Sequence, residues 1–247
     1  MPQPMKDQYY LPKKKAFHLP APSKTNDNAI AYLRLRGIDA YIIAECIKAG
    51  TVFESSAAKY TNVVFAGFDS QNCPRYAALR GCMGSFKGEV AGSDKRFAFK
   101  MTAQAPNNSA HVFESAIDAL SYATILLNED KDWRAENLLS LGGIPPASID
   151  TDRKTVPQAI VQYLADNPGT STIHLHLDND EPGLRASDAI ATALYGRCEV
   201  SLEQPKAGKD INDWLMARRS ALVPTPANPE GRSPIKDSQT TNRYQQR

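Results

Sequence analysis

Ser171-Thr172-Ile173-His174-Leu175-His176-Leu177-Asp178-Asn179-Asp180-Glu181-Pro182-Gly183 is the stretch on which the fold turns. Ile173, Leu175 and Leu177 alternate with polar residues, the two-residue period of a strand over 171–177. Two acids follow at once, and the Glu-Pro-Gly after them opens a helix over 183–195. The same strand-then-helix unit recurs on both sides. Upstream lie a strand at 111–113, a helix over 115–127, a strand over 138–141 ending at Gly142-Gly143, and a helix over 156–166 that Asn167-Pro168-Gly169 terminates. Downstream come a strand over 198–202 and a helix over 211–219. Repeated strand–helix units of this length predict an α/β fold with a mainly parallel sheet, right-handed crossovers and helices on both faces.

In such a sheet, ligands bind beyond the carboxyl ends of the strands, where the loops leading into the helices gather. The acids therefore gain meaning from their positions. Glu114 leaves the first strand, Asp178 and Asp180 leave the third, and Asp210 and Asp213 lie just beyond the fourth in Gly208-Lys209-Asp210-Ile211-Asn212-Asp213-Trp214. Acids are also common at helix starts, where they favour the helix dipole. What distinguishes Glu114, Asp178 and Asp180 is that each stands at a strand exit on one edge. Hard oxygen donors grouped in this way suit Mg²⁺ or Mn²⁺ bridging to phosphate. Asp118, one helical turn after Glu114, either joins them or is a surface acid.

The stretch before the alternating units reads differently. Residues 1–24 mix prolines with Lys13, Lys14 and Lys15 and predict a basic flexible arm, with Tyr9, Tyr10 and Phe17 as possible base-stacking groups. Asn26, Asp27 and Asn28 offer caps for a helix that Gly37 stops, and Asp39 starts a second helix that closes at Gly50. Short β runs follow at 62–65, 76–79 and 97–100, so residues 25–108 form a small α+β subdomain ahead of the sheet over 109–221. Residues 222–247 are polar and proline-rich and predict a disordered tail.

Composition sharpens the functional reading. Of 247 residues 42% are hydrophobic and 23% charged, the balance of a globular chain, and the net charge is +2. That total conceals a division: residues 1–110 carry 15 Lys and Arg against 8 Asp and Glu, whereas 111–222 carry 10 against 17. A basic half beside an acidic half suits a protein that holds phosphates with one and a metal with the other. No apolar run reaches membrane-spanning length and no signal peptide opens the chain, so a cytoplasmic protein is expected. Cys46, Cys73, Cys82 and Cys198 form no CxxC pair; reduced core thiols are expected, and zinc is not. Trp133 and Trp214 read as core anchors.

The motif His174-Leu175-His176-Leu177-Asp178-Asn179 differs from the HxHxDH motif of metallo-β-lactamase-fold hydrolases, because Asn179 replaces the final histidine and no histidine follows His176. His174 and His176 read instead as strand residues in the core or supporting the acid site. The Asp-x-Asp also differs from that of haloacid-dehalogenase phosphatases, which ends the first strand rather than the third.

Glu114 in Val112-Phe113-Glu114-Ser115-Ala116-Ile117-Asp118, the Leu141-Gly142-Gly143 turn, and Asp178-Asn179-Asp180, in that order, resemble the Toprim domain of primases, topoisomerases and some nucleases. The resemblance extends upstream: Tyr32-Leu33-Arg34-Leu35-Arg36-Gly37, Asn62-Val63-Val64-Phe65 and Arg80-Gly81 resemble the subdomain preceding Toprim in bacterial primases. With Gly92-Ser93-Asp94-Lys95 they also resemble plasmid and mobile-element proteins that join an uncharacterised domain to a variant Toprim domain. The two parts cover about residues 25–220. The zinc-binding and helicase-binding domains of primases have no counterpart here, so a replicative helicase or relaxase is an expected partner.

This resemblance implies Mg²⁺- or Mn²⁺-dependent phosphodiester chemistry on DNA, with single-stranded template and nucleoside triphosphates as ligands. Asp178 and Asp180 hold the metal, with Asp210 as a further candidate, and Glu114 either completes the site or acts as general acid or base. Arg34, Arg36, Arg80, Lys95, Arg96 and Lys209 are the candidate phosphate-holding cations. Asp118, His176 and Asp213 are candidates to support the metal ligands. Primer synthesis in plasmid or mobile-element replication is the leading expectation; a strand-cleaving Toprim nuclease or relaxase-associated factor and a non-catalytic DNA-binding module are the alternatives.

Overall fold

The computed structural model describes residues 15–57, 60–144 and 156–222. Two helices, α1 (Asp27–Leu35) and α2 (Ala40–Lys48), lead into an antiparallel sheet of β1 (Val52–Ala57), β2 (Tyr60–Phe68), β3 (Pro74–Gly81) and β4 (Lys87–Glu89), in that spatial order. After a 3₁₀ turn at Lys95–Phe97 come β5 (Lys100–Met101), β6 (Ser109–Phe113), α3 (Ala116–Asn128), β7 (Leu138–Ser140), α4 (Gln158–Asp166), β8 (Thr172–His176), α5 (Glu181–Leu194), β9 (Glu199–Leu202) and α6 (Ile211–Leu222). The second sheet runs β5-β7-β6-β8-β9, with β5 antiparallel and the other four parallel. The mainly parallel α/β sheet preceded by an α+β segment is thus the observed architecture.

Alternation along the parallel strands assigns the faces. Val112, Leu139, Ile173 and Leu175 meet α4 and α5. Phe113 and Leu138 point the other way, into a core shared with α3 and α6. That second core also includes Leu33, Ile38 and Ile42 of the helical pair and Phe65 of the antiparallel sheet. Each such fully buried side chain contributes roughly 1.5–3 kcal/mol by leaving water. One apolar core therefore runs beneath both sheets.

Four local expectations need correction. First, residues 97–100 do not form a strand of the first sheet. The Asp94 side chain accepts from the Arg96 N–H and starts the 3₁₀ turn, while Phe99 packs edge-on to Phe65 at 5.9 Å. Gly67 lies so close beneath the Phe97 carbonyl that a methyl there would collide with it. Lys100–Met101 then joins the edge of the second sheet. Second, two further strands, β1 and β4, carry no strand-like period in the sequence: β1 reads Val-Phe-Glu-Ser-Ser-Ala, whose polar run hides its alternation.

Third, Asn26 does not cap α1 with its side chain. Buried Glu54 on β1 does so instead, accepting from the Asn28 and Ala29 N–H groups at 2.9 and 3.1 Å. Fourth, the described part of the expected arm is not loose. The Ser23 N–H donates to the Glu54 carbonyl at 2.7 Å, Ser55 Oγ to the Ala21 carbonyl at 2.8 Å, and Phe17 packs on Phe53 and Val64 rather than facing bases. Residues 1–14, with Tyr9, Tyr10 and the lysines at 13 and 14, and the tail from 223 lie outside the described residues. No described helix is long and apolar enough to cross a membrane.

Candidate active-site cleft

The carboxyl edge of the parallel strands faces β2, β3 and β4 across a cleft of about 870 Å³. Glu114, Asp118, Asp178 and Asp210 line it with Lys209 from the parallel-sheet side; Arg80 from β3, Lys87 and Glu89 from β4, and Arg36 at the end of α1 line it from the other parts. The position of the acids follows from strand ends. Glu114 leaves β6 as the backbone turns into α3, and its carbonyl accepts from the Gly143 N–H at 2.8 Å, locking the turn after β7 beside it. The Asp178 N–H donates to Glu114 Oε1 at 3.2 Å, joining the exits of β6 and β8. Asp180 caps α5, its Oδ1 accepting from the Gly183 N–H at 2.9 Å. Only glycine fits at 183, because a Cβ would strike the Asp178 carbonyl.

Lys209 ties the acids together. Its Nζ lies 2.8 Å from Asp178 Oδ2 and 3.1 Å from Asp180 Oδ2, and its carbonyl accepts from the Asn179 N–H at 2.7 Å. The ammonium is held well above the usual lysine range by these two carboxylates. Asp180, bonded to Gly183 and Lys209, is shifted down. Asp178 is shifted up by burial despite Lys209. Glu114 is pushed to about 7 by burial and the Asp178 charge, and Asp118 to about 7 by burial and the Asp210 charge. Several carboxyls are thus gathered without enough compensating positive charge, the condition under which a cation is drawn in.

Donor chemistry fits a hard divalent ion, and Lys209 Nζ is a stand-in for it between Asp178 and Asp180. Glu114 is less closely joined. Among the described residues, the trio with ligand atoms mutually within 4.8 Å is His111, His174 and Glu203, not the three acids. Mg²⁺ is commonly held by one or two carboxylates with water and substrate phosphate completing its shell. The pair Asp178 and Asp180 meets that requirement, and Glu114 lies beside it, joined through the Asp178 N–H.

Other expected residues divide clearly. Arg36 and Arg80 reach the cleft, and buried Arg36 Nε has no hydrogen-bond partner. Arg34 is exposed and lies outside it. Lys95 braces the glycine turn, donating to the Gly142 carbonyl at 2.8 Å, and Arg96 is turned to Asp94 at 2.6 Å. Asp210 Oδ1 and Asp213 Oδ2 accept from the Asp213 and Lys209 N–H groups and shape the loop into α6. His176 does not support the acids: it bonds to His111 at 2.8 Å and stacks on Phe113. Trp133 is buried, whereas Trp214 is half-buried beneath Lys206 and Arg218. Of the thiols only Cys46 is buried, and burial pushes it to about 12; Cys73 is exposed.

Sequence reasoning missed Lys87, whose flanking Gly84 and Gly88 hinted at backbone close to a ligand. It also missed Asn212, which carried no signal beyond standing two residues after Asp210. Buried Asn212 donates from Nδ2 to the Arg36 carbonyl at 2.7 Å and to Ser121 Oγ at 2.9 Å, and from its N–H to Asp118 at 3.3 Å. It fixes the basic helix to the acidic wall.

Residues 111–215 match the family model described as Toprim-like. This region is a Toprim-like domain. Residues 31–105, ahead of the Toprim-like domain, match a model described as a protein of unknown function (DUF3991). A curated relative, the 65 kDa protein of Zymomonas mobilis, is 30% identical over 169 residues, covering 64% of this chain but 27% of that protein. The chain thus spans about a quarter of that relative's length. The primase fragment of the bacteriophage T7 primase-helicase superimposes with a TM-score of 0.56 at 16% identity, over 85% of this chain and 80% of that one. The Escherichia coli primase catalytic core gives a TM-score of 0.47 at 15% identity, over 80% of this chain and 70% of that one. The superposition on the T7 fragment shows that the Toprim-like domain and its upstream segment share that fragment's fold.

Proposed function

We propose that the chain is a primase-related, divalent-metal-dependent nucleotidyltransferase that acts on single-stranded DNA with nucleoside triphosphates, in plasmid or mobile-element replication. The observation that carries this reading is one cleft lined by strand-end carboxylates and by Arg36, Arg80 and Lys87. Asp178 and Asp180 would hold Mg²⁺ or Mn²⁺, which when bound supplies Lewis-acid neutralisation of the phosphate charge. Glu114, whose Oε1 accepts from the Asp178 N–H beside that pair, would accept the proton of the attacking hydroxyl. Arg36 and Arg80 hold phosphates, and Arg36 Nε gains the partner it lacks. Asp210 would stand behind the Asp178–Asp180 pair, and Lys209, which now bridges those carboxylates, would be available to a phosphate once a cation neutralised them.

Incubation with single-stranded template, ribo- or deoxynucleoside triphosphates and Mg²⁺ or Mn²⁺ tests this. Template-dependent oligomers should form, and Glu114→Gln and Asp178→Asn should each abolish them. Template shortening lost in the same variants makes the protein a nuclease instead. DNA binding with no metal-dependent chemistry makes it a binding module.

A further inference from the structure

The fold also assembles a cluster that the acid cleft does not use. His111 on β6 and His174 on β8 are register partners in the parallel sheet, and both face α3 with His176. The His111 and His174 rings stack at 4.5 Å, and His111 Nδ1 lies 2.8 Å from His176 Nε2. Glu203, at the exit of β9, closes the group: its Oε1 is 2.6 Å from His174 Nδ1 and its Oε2 is 3.6 Å from His176 Nε2. Three imidazoles and a carboxylate thus meet on three adjacent strands. His111 and His176 are both buried, so the imidazoles meet away from bulk water.

We propose that His111, His174 and Glu203 form a second metal site, for a nitrogen-preferring divalent cation of the Zn²⁺ type, with His176 beside it. No zinc-ligand spacing is visible along the chain, because the pattern is made only by pairing β6, β8 and β9. Ligand atoms of the three residues already lie within 4.8 Å of one another. Ligands on one Zn²⁺ stand about 3–4 Å apart, so the site closes when one of the two stacked imidazoles turns about its Cβ–Cγ bond to bring its ring plane onto the ion. Glu203, 39% exposed, and His174, 24% exposed, lie on the solvent side of the group, where either can move. A cavity of about 360 Å³ lined by Tyr122, His176, Glu203 and Trp214 leads to it. Imidazole donors set this site apart from the all-oxygen cleft. Its consequence is structural: Glu203 begins the loop that delivers Lys209 and Asp210, so the ion would pin that loop to the central strands.

The test uses the full chain without a histidine tag, stripped of metal and then titrated with Zn²⁺ and with Co²⁺ as a spectroscopic probe. One equivalent of Zn²⁺ should remain after desalting, and Co²⁺ should develop visible absorption bands of nitrogen coordination. His174→Asn and Glu203→Gln should each weaken binding at least about tenfold, with circular dichroism confirming that both are folded. Glu114→Gln and Asp178→Asn should leave it unchanged. Absence of stoichiometric binding, binding unaffected by His174→Asn and Glu203→Gln, or binding lost in Glu114→Gln would each overturn the proposal.

Discussion

Replacing Asp118 by Asn should make the metal-free protein more stable at neutral pH, contrary to the usual effect of altering a buried hydrogen-bonded residue. Asp118 is 5% exposed, accepts from Ser115 Oγ at 2.6 Å and from the Asn212 N–H at 3.3 Å, and faces the charge of Asp210. Burial and Asp210 move its carboxyl from 3.8 to about 7. The folded protein therefore keeps a proton that the unfolded chain releases, and stability falls as pH rises from about 4 to about 7. At about 1.4 kcal/mol per pH unit, the loss reaches about 4 kcal/mol above pH 7. Asn keeps both contacts, its carbonyl accepting from Asn212 and its amide donating to Ser115, without the charge. In EDTA at pH 8, Asp118→Asn should raise stability by about 4 kcal/mol, or Tm by about 10 °C, and the gain should shrink to about 1.5 kcal/mol at pH 5. Urea unfolding at the two pH values measures it, with exposed Asp188→Asn as a control expected to change little. A destabilised variant at pH 8, or a gain independent of pH, refutes the electrostatic account of this wall.

The other expectations are as direct. Lys209→Ala removes the ammonium shared by Asp178 and Asp180; because the lysine is half exposed, screening limits the gain to about 1 kcal/mol, or about fivefold tighter Mg²⁺ binding by calorimetry. Arg36→Ala and Arg80→Ala should each weaken single-stranded DNA binding and lower its salt slope by about one, whereas Arg34→Ala and Arg96→Ala should not, as measured by fluorescence anisotropy across a salt series. Gly183→Ala drives a methyl into the Asp178 carbonyl and should lower stability by about 2–3 kcal/mol in urea unfolding, with Mg²⁺ affinity falling as the Asp-x-Asp turn shifts.

What was legible in the sequence follows from locality. Strand periods, helix stops and the acids at strand exits depend on neighbours along the chain, so the parallel sheet and the cleft acids could be read directly. Glu54 capping α1 from another strand, Phe99 leaving its own segment to pack on Phe65, and Lys100–Met101 joining a distant sheet depend on partners far along the chain. The basic residues show the same limit. Arg34 and Arg36 are two positions apart on a short helical segment, and only the packing of that segment decides that one enters the cleft and the other meets solvent.

Asn212 shows how the two walls are held to one geometry. Its side chain spans from the Arg36 carbonyl to Ser121 on α3, and Arg219, with Asn212 on α6, donates to the Gly37 carbonyl at 3.0 Å. A Cβ on Gly37 would lie 2.8 Å from Met216 Sδ, so the turn that carries Arg36 is seated against α6 without spare room. The loop opening α6 is the one that delivers Lys209 and Asp210. A displacement of α6 therefore moves the cleft-lining Arg36 and the acid-bridging Lys209 together, and the charge division along the sequence becomes a fixed spacing across the cleft. That coupling is why the polar residue least visible in the sequence lies between the two halves of the site.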